Sequence, residues 1–335
     1  MRNALLAAAA LLALTGTARS DAGWSAETFA FATRAEAALA LGAADDYTTQ
    51  MTPLDRAMRM KTGTAVTAEE YRRFAADAAR DWSNDEREAL RADIDRLIPA
   101  LTELRVPAPH RVLLIKTSGA EEGHAAYTRG DAVMIPEFMA DGNKDALQWI
   151  LAHEVFHVVS RQNPALREQL YAAIGFVKVD PFPLPPDIAA HLVTNPDVQG
   201  NDHFVRVTVD DREVCGTPIL QFLIDRYDPQ QGGEFFNYAK DRFLYSRHVA
   251  ERKDGVPVDL HMTASNRVVG YERRIGENTT YDFHPEEILA ENFALMLTKL
   301  RKPRSPAILD KIRAVFAHAA DPAGTPAPPP PLPCP

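Results

Sequence analysis

A chain of 335 residues, 46% hydrophobic and 25% charged, has ordinary globular composition and is long enough for one large domain or two smaller ones. Its formal net charge of -9 and its lack of a Lys/Arg-rich run of the kind that tracks phosphates argue against a nucleic-acid surface, so no nucleic-acid partner is expected. Two cysteines are too few for a disulfide scaffold, although Cys215 and Cys334 can pair in an oxidising compartment and clasp the tail to the body.

Met1-Arg2-Asn3 followed by the apolar run Ala4 to Leu14 reads as a secretory signal, assigned to residues 1–20. Cleavage after Ala18, Ser20 or Ala22 satisfies the small-x-small rule, which predicts a periplasmic or secreted protein. The run is too short to span a bilayer, so no stable membrane insertion is expected once it is removed.

Residues 21–100 read as a helical region, with helical spacing over Ala26 to Leu41. Thr67 with Glu70 and Ser83 with Glu86 form capping boxes for helices predicted to reach about Trp82 and Leu97. Pro99, Pro107 and Pro109 then mark a boundary. Short strands are expected at Val112 to Ile115, Ala125 to Thr128 and Val133 to Ile135, the last after the turn Arg129-Gly130-Asp131. Asn143 can cap an apolar helix from about Lys144 to Arg161. Phe204 to Val209 is strand-like, Pro218 to Ile224 is mixed, and the stretch to about Asp282 is ambiguous. Pro285 suits the first position of a helix to Leu300, and Ser305-Pro306 starts another. The sum is an α+β fold: a helical region over 21–100, a catalytic region over 101–320 and a Pro-rich tail over 321–335.

Inside the apolar helix stands His153-Glu154-Val155-Phe156-His157. A spacing of four puts both imidazoles on one helix face a turn apart, as two ligands of one tetrahedral Zn²⁺ require. Glu154 then points beside the metal, where a carboxylate can act as general base toward an attacking water. This HExxH pattern is expected by chance only about 0.02 times in a chain of this composition. The apolar flanks Trp149 to Leu151 and Val155 to Val159 would bury the three polar side chains, and buried His and Glu need partners. A third protein ligand is still required. The Gly and third His of the metzincin pattern do not follow, since Ser160 and Asn163 stand three and six residues beyond His157.

The late segment His284-Pro285-Glu286-Glu287-Ile288-Leu289-Ala290-Glu291 resembles the second helix of the gluzincin metallopeptidases. In that family a zinc-binding Glu is followed four residues later by an acidic or amide residue that buttresses a ligand His. The resemblance implies a zincin-like catalytic domain in which His153, His157 and Glu287 bind zinc and Glu291 accepts an imidazole N–H. Glu at position 291 departs from the commoner Asp or Asn, and leaves open whether Glu291 is itself a ligand. Tyr281 and His284, immediately before this helix, are candidate catalytic stabilisers of a developing oxyanion. Ala125 to Thr128 is a candidate edge for an extended peptide substrate. The expected activity is zinc-dependent peptide hydrolysis. Hydrolysis of a non-peptide amide or ester is the alternative reading, and a non-catalytic zinc protein that keeps the fold is a third. Residues 21–100 are either an inhibitory pro-segment or an integral part of the fold.

Overall fold

The computed structural model describes residues 23–335 apart from Asp141, Pro328 and Pro335. The expected signal peptide and its cleavage sites lie outside the described residues. Among those residues no helix is long and apolar enough to cross a membrane.

Five strands form one sheet: β1 (Phe29–Phe31), β2 (Ala79–Arg80), β3 (Val112–Thr117), β4 (Tyr127–Arg129) and β5 (Ala132–Pro136). β3 lies at the centre, parallel to β1 and to β5, while β2 pairs antiparallel with its far end and β4 runs antiparallel along β5. Successive side chains of a strand point to opposite faces. Val112, Leu114, Val133 and Ile135 therefore enter one core, and Leu113, Ile115 and Met134 enter another.

Among the described residues twelve helices surround this sheet and a second one. The face carrying Leu113 and Ile115 is covered by α1 (Arg34–Leu41), α2 (Asp46–Gln50), α3 (Pro53–Arg59) and α4 (Ala68–Asp77). The opposite face receives α5 (Asn84–Glu103), then, past the short α6 (Glu137–Ala140), α7 (Lys144–Gln162) and α8 (Pro164–Ala173). α9 (Pro186–Ala190) and α10 (Tyr271–Ile275) are short, and α11 (Pro285–Thr298) and α12 (Pro306–Ala320) complete the main core. α7 lies against both the sheet and α11, so it is apolar almost all round. The chain between α8 and α10 builds a second, antiparallel sheet from β6 (Phe176–Lys178), β7 (His203–Val209), β8 (Arg212–Phe222) and β9 (Ala239–Ser246). The hairpin of β10 (Arg252–Lys253) and β11 (Val256–Pro257) follows, and β12 (His261–Ala264) and β13 (Val268–Val269) return to the sheet edges. The fold is thus α+β.

Several elements depart from the sequence expectation. The helical spacing of Ala26 to Leu41 is interrupted by β1, because Phe29 to Phe31 pair with Val112 to Leu114 and their rings pack on Trp24 and Trp82. α4 stops at Asp77, since Ala79 and Arg80 are drawn into β2. α5 runs on through Pro99 to Glu103, where burial of Leu97 and Leu101 outweighs the loss of one backbone hydrogen bond. The boundary near residue 100 is not a structural one: residues 23–100 supply two strands and one whole covering layer of the sheet that residues 112–136 continue. They are an integral part of the described fold. Cys215 of β8 and Cys334 form a disulfide that ties the Pro-rich tail to the second sheet.

One ion cluster locks the covering layer in place. Arg59 of α3 is buried, paired to Asp55 one turn earlier and to Glu122 at 2.7 Å, and it donates to the Thr194 carbonyl at 2.7 Å. Burial raises the Asp55 carboxyl, against the pull of Arg59. Truncating one member of a buried ion pair leaves its partner charged and dry. Arg59→Met is accordingly expected to lower the unfolding free energy by about 3–5 kcal/mol, measured by urea denaturation. A loss below about 1 kcal/mol would mean that the cluster is solvated.

Candidate metal centre

Two helices that touch along their length assemble the polar cluster. α7 presents His153, Glu154 and His157, and α11 presents Glu286, Glu287 and Glu291. All but Glu291 and His153 are fully buried, and His153 opens on a cleft of about 550 Å³.

A hydrogen bond fixes the His157 tautomer. His157 Nδ1–H donates to Glu286 Oε1 at 3.1 Å, which leaves Nε2 as a lone-pair donor. That Nε2 is buried, has no hydrogen-bond partner, and faces Glu287 Oε2 at 3.6 Å. His153 is arranged the same way, with Nδ1 at 3.3 Å from Glu291 Oε1 and Nε2 at 3.2 Å from Glu287 Oε2. The His153 and His157 nitrogens and the Glu287 oxygen all lie within 4.8 Å of one another. Tetrahedral zinc with bonds of about 2.0–2.1 Å sets its ligand atoms about 3.3 Å apart. The spacings of 3.2 and 3.6 Å match that value. Three electron-pair donors converging in a buried space, one of them unsatisfied, is an arrangement that a cation completes.

The electrostatics agree. Burial pushes His157 down to about 3, so its ring is neutral and free to coordinate. Burial also opposes charge on His153, but its bonds to Glu287 and Glu291 outweigh this and raise it. That proton is one a bound cation displaces, as metals generally do at imidazole. Glu287 is held below the usual carboxylate range despite burial, by His153, His157 and Asn195.

Glu154 stands beside this triad. Its Oε2 accepts from Thr128 Oγ1 at 2.8 Å, and burial pushes it up to about 7, opposed by His153 and Thr128. Asp197 accepts the Thr128 backbone N–H at 2.6 Å and is raised well above its usual range by burial and by the nearby Glu154 and Glu287. Glu154, His157 and Asp197 also form a possible ligand group. The group with Glu287 is the better one, because Asp197 Oδ1 is already engaged by Thr128 and burial disfavours charge on Asp197.

Six of the seven residues expected from sequence thus come together around the cleft or in the cluster behind it. Glu291 buttresses His153 while accepting from Trp149 Nε1 at 3.0 Å. Tyr281 lines the cleft with its ring centroid 6.2 Å from that of His153, and is 39% exposed. His284 does not join them. Its Nδ1 caps α11 by accepting the Glu286 N–H at 3.1 Å, and its Nε2 bonds the Gly200 carbonyl at 3.0 Å, so neither nitrogen is free for an oxyanion. The expected substrate edge is also altered. Tyr127 is a core residue and Thr128 N–H is occupied by Asp197, which leaves Ala125 and Ala126 on the cleft wall.

Glu286, Asn195, Asp197 and Thr128 were not among the expected site residues. Glu286 is no solvated helix start: besides His157 it accepts Ser160 Oγ at 2.8 Å and Tyr171 OH at 2.5 Å. The apolar run Ile288-Leu289-Ala290 beside it carried that signal. Asn195 donates to Glu287 Oε1 at 2.5 Å across 92 residues of chain, and no sequence pattern announces it.

The described residues therefore define an α+β protein with a buried His-His-Glu cluster opening on a cleft. Compared with known proteins, the chain matches no protein-family model, no curated protein and no solved structure.

A carboxyl raised from 4.5 to about 7 holds its proton more tightly folded than unfolded, so its contribution to stability is lost as pH rises between those values. Glu154→Gln should then stabilise the zinc-free protein, relative to its parent, more at pH 8 than at pH 5. Thermal midpoints at the two pH values measure this, and an equal difference at both would contradict the assigned burial of charge.

Proposed function

We propose that this protein is a zinc-dependent hydrolase of the gluzincin kind, acting on peptide bonds, with His153, His157 and Glu287 holding the metal. The observation that carries the reading is the unpartnered, buried Nε2 of His157 aimed at Glu287 Oε2. Two imidazoles, with the His153 proton given up to the metal, and one carboxylate, with a side open to a cleft, are the donor set of a catalytic rather than a structural zinc site. Zinc bound there would supply Lewis acidity, polarising a carbonyl and making a water acidic near neutral pH.

The chain's own residues do the rest. Glu154, oriented by Thr128 and poised near neutral pH, takes the proton of the attacking water at its carboxylate and returns it to the leaving amine. Glu286 and Glu291 hold the rings of His157 and His153 by their Nδ1–H groups, keeping each Nε2 directed inward. Asn195 fixes the free oxygen of Glu287, so that the other faces the imidazoles. The phenol of Tyr281 is the group on the cleft wall suited to donate to a developing oxyanion. The cleft, lined about equally by polar and apolar surface and of a volume that holds several residues of an extended chain, supports a peptide or protein substrate. The Cys215–Cys334 disulfide supports an exported protein, as does the apolar N-terminus.

Elemental analysis of the purified protein after exhaustive dialysis tests the metal assignment. About one zinc per chain is expected in the parent, lost with Glu287→Ala and largely kept with Glu291→Ala. A folded parent without zinc would end the reading. The catalytic role is tested separately: Glu154→Gln should keep zinc yet lower the turnover of a fluorogenic peptide library at least about 100-fold. Activity retained in that variant, or found on esters but on no peptide, would remove either the base or the substrate class.

A further inference from the structure

The cleft wall that includes His153 and Glu154 also includes Arg301, Lys302 and Arg304, three cations within four positions of a chain whose net charge is -9. They follow directly on α11, the helix that carries Glu287 and Glu291, after a turn at Lys299 in the left-handed region (φ 55°). One helix thereby sets the distance between the metal cluster and the cations.

Arg301 is ordered for recognition. Its guanidinium carbon lies over the Trp149 ring, 3.8 Å from the centroid, and that indole is itself pinned through Nε1–H to Glu291. A single 3.5 Å contact to Glu291 uses one of its donors, and the side chain is 56% exposed, so most of its N–H fork stays open. Lys302 and Arg304 make no salt bridge among the described residues. Of the acids on the same wall, Glu154 and Glu291 are committed to Thr128 and His153, which leaves Glu277 as the one opposing charge. A stacked planar fork with two unpaired cations beside it matches a carboxylate, which such a fork binds bidentately.

We propose that this end of the cleft binds a carboxylate of the substrate, either the C-terminus of a peptide or an acidic side chain, with Arg301 as the oriented donor. This rests on the proposed peptide-hydrolysing site and specifies its substrate.

Calorimetric titration of the Glu154→Gln protein, in which turnover is blocked, tests it with three peptides: acetyl-tetraalanine with a free C-terminus, its C-terminal amide, and acetyl-Ala-Ala-Glu-Ala amide. At least one carboxylate-bearing peptide should bind about tenfold more tightly than the plain amide, and which one does so identifies the source of the carboxylate. Adding Lys302→Ala with Arg304→Ala, both at exposed positions, should remove that advantage, and Arg301→Lys should reduce it while keeping the charge. Equal affinity for all three peptides, no binding of any, or an advantage that survives the double substitution overturns the inference. Zinc content separates the two readings: bound zinc without carboxylate preference removes only this inference, and carboxylate preference without zinc removes only the metal assignment.

Discussion

The interaction on which the rest depends is that of one buried carboxylate, Glu287, with two imidazole Nε2 atoms across the α7/α11 interface. Both helices are otherwise apolar where they meet, through residues such as Val155, Phe156, Phe293 and Ala294. Desolvating a carboxylate there costs several kcal/mol unless charge or hydrogen bonds offset it. The offset is local and complete on one side, where Glu286, Glu291 and Asn195 satisfy the outer atoms. On the other side His153 Nε2 and Glu287 Oε2 meet at 3.2 Å, and His157 Nε2 is left without a partner. The packing of the interface therefore depends on what sits between them, so folding and metal binding are expected to be coupled.

A single loop carries the constraint to the rest of the molecule. Thr194 O is held by Arg59 of the N-terminal layer, Asn195 bonds Glu287, and Asp197 bonds the backbone of Thr128, whose hydroxyl orients Glu154. Arg161, at the end of α7, donates to the Pro196 carbonyl at 2.9 Å and closes the circuit. The layer formed by α1 to α4 thus bears on both a proposed ligand and the proposed base. That linkage, together with β1 and β2, argues against a detachable inhibitory segment in residues 23–100.

Local signals were legible in the sequence and nonlocal ones were not. The caps Thr67, Ser83 and Asn143, and Pro285 at the first position of α11, all mark real helix starts, because each satisfies or avoids a free N–H within a few residues of itself. The HExxH spacing was equally local, and its two histidines lie together as a turn of helix dictates. β1 and β2 escaped notice because three and two residues form strands only through the partner β3, whose paired residues stand 36 to 83 positions later. Asn195 and Asp197 escaped for the same reason. His284 misled in the opposite sense: nearness to Glu287 in the chain suggested the cleft, whereas a residue at the N-cap turns its side chain to the helix end.

Glu291 stands where the gluzincin pattern that the sequence resembles has Asp or Asn, and it holds His153 from the outer side of the ring. Glu287 and Glu291 lie one turn apart on the same face of α11 and both approach His153, one at each ring nitrogen. They are chemically identical, so the ring decides between them. Nε2 also converges with His157 Nε2, whereas Nδ1 faces away toward Trp149 and Arg301. The carboxylate at Nε2 can share an ion with two imidazoles, and the one at Nδ1 cannot. Glu291 Oε1 meets both His153 Nδ1 and Trp149 Nε1, while its Oε2 accepts from Thr279 Oγ1 at 3.3 Å and from Arg301. One carboxylate thereby holds the His153 ring, the indole that Arg301 lies over and Arg301 itself, so Glu291 ties the proposed metal ligand to the proposed substrate cation.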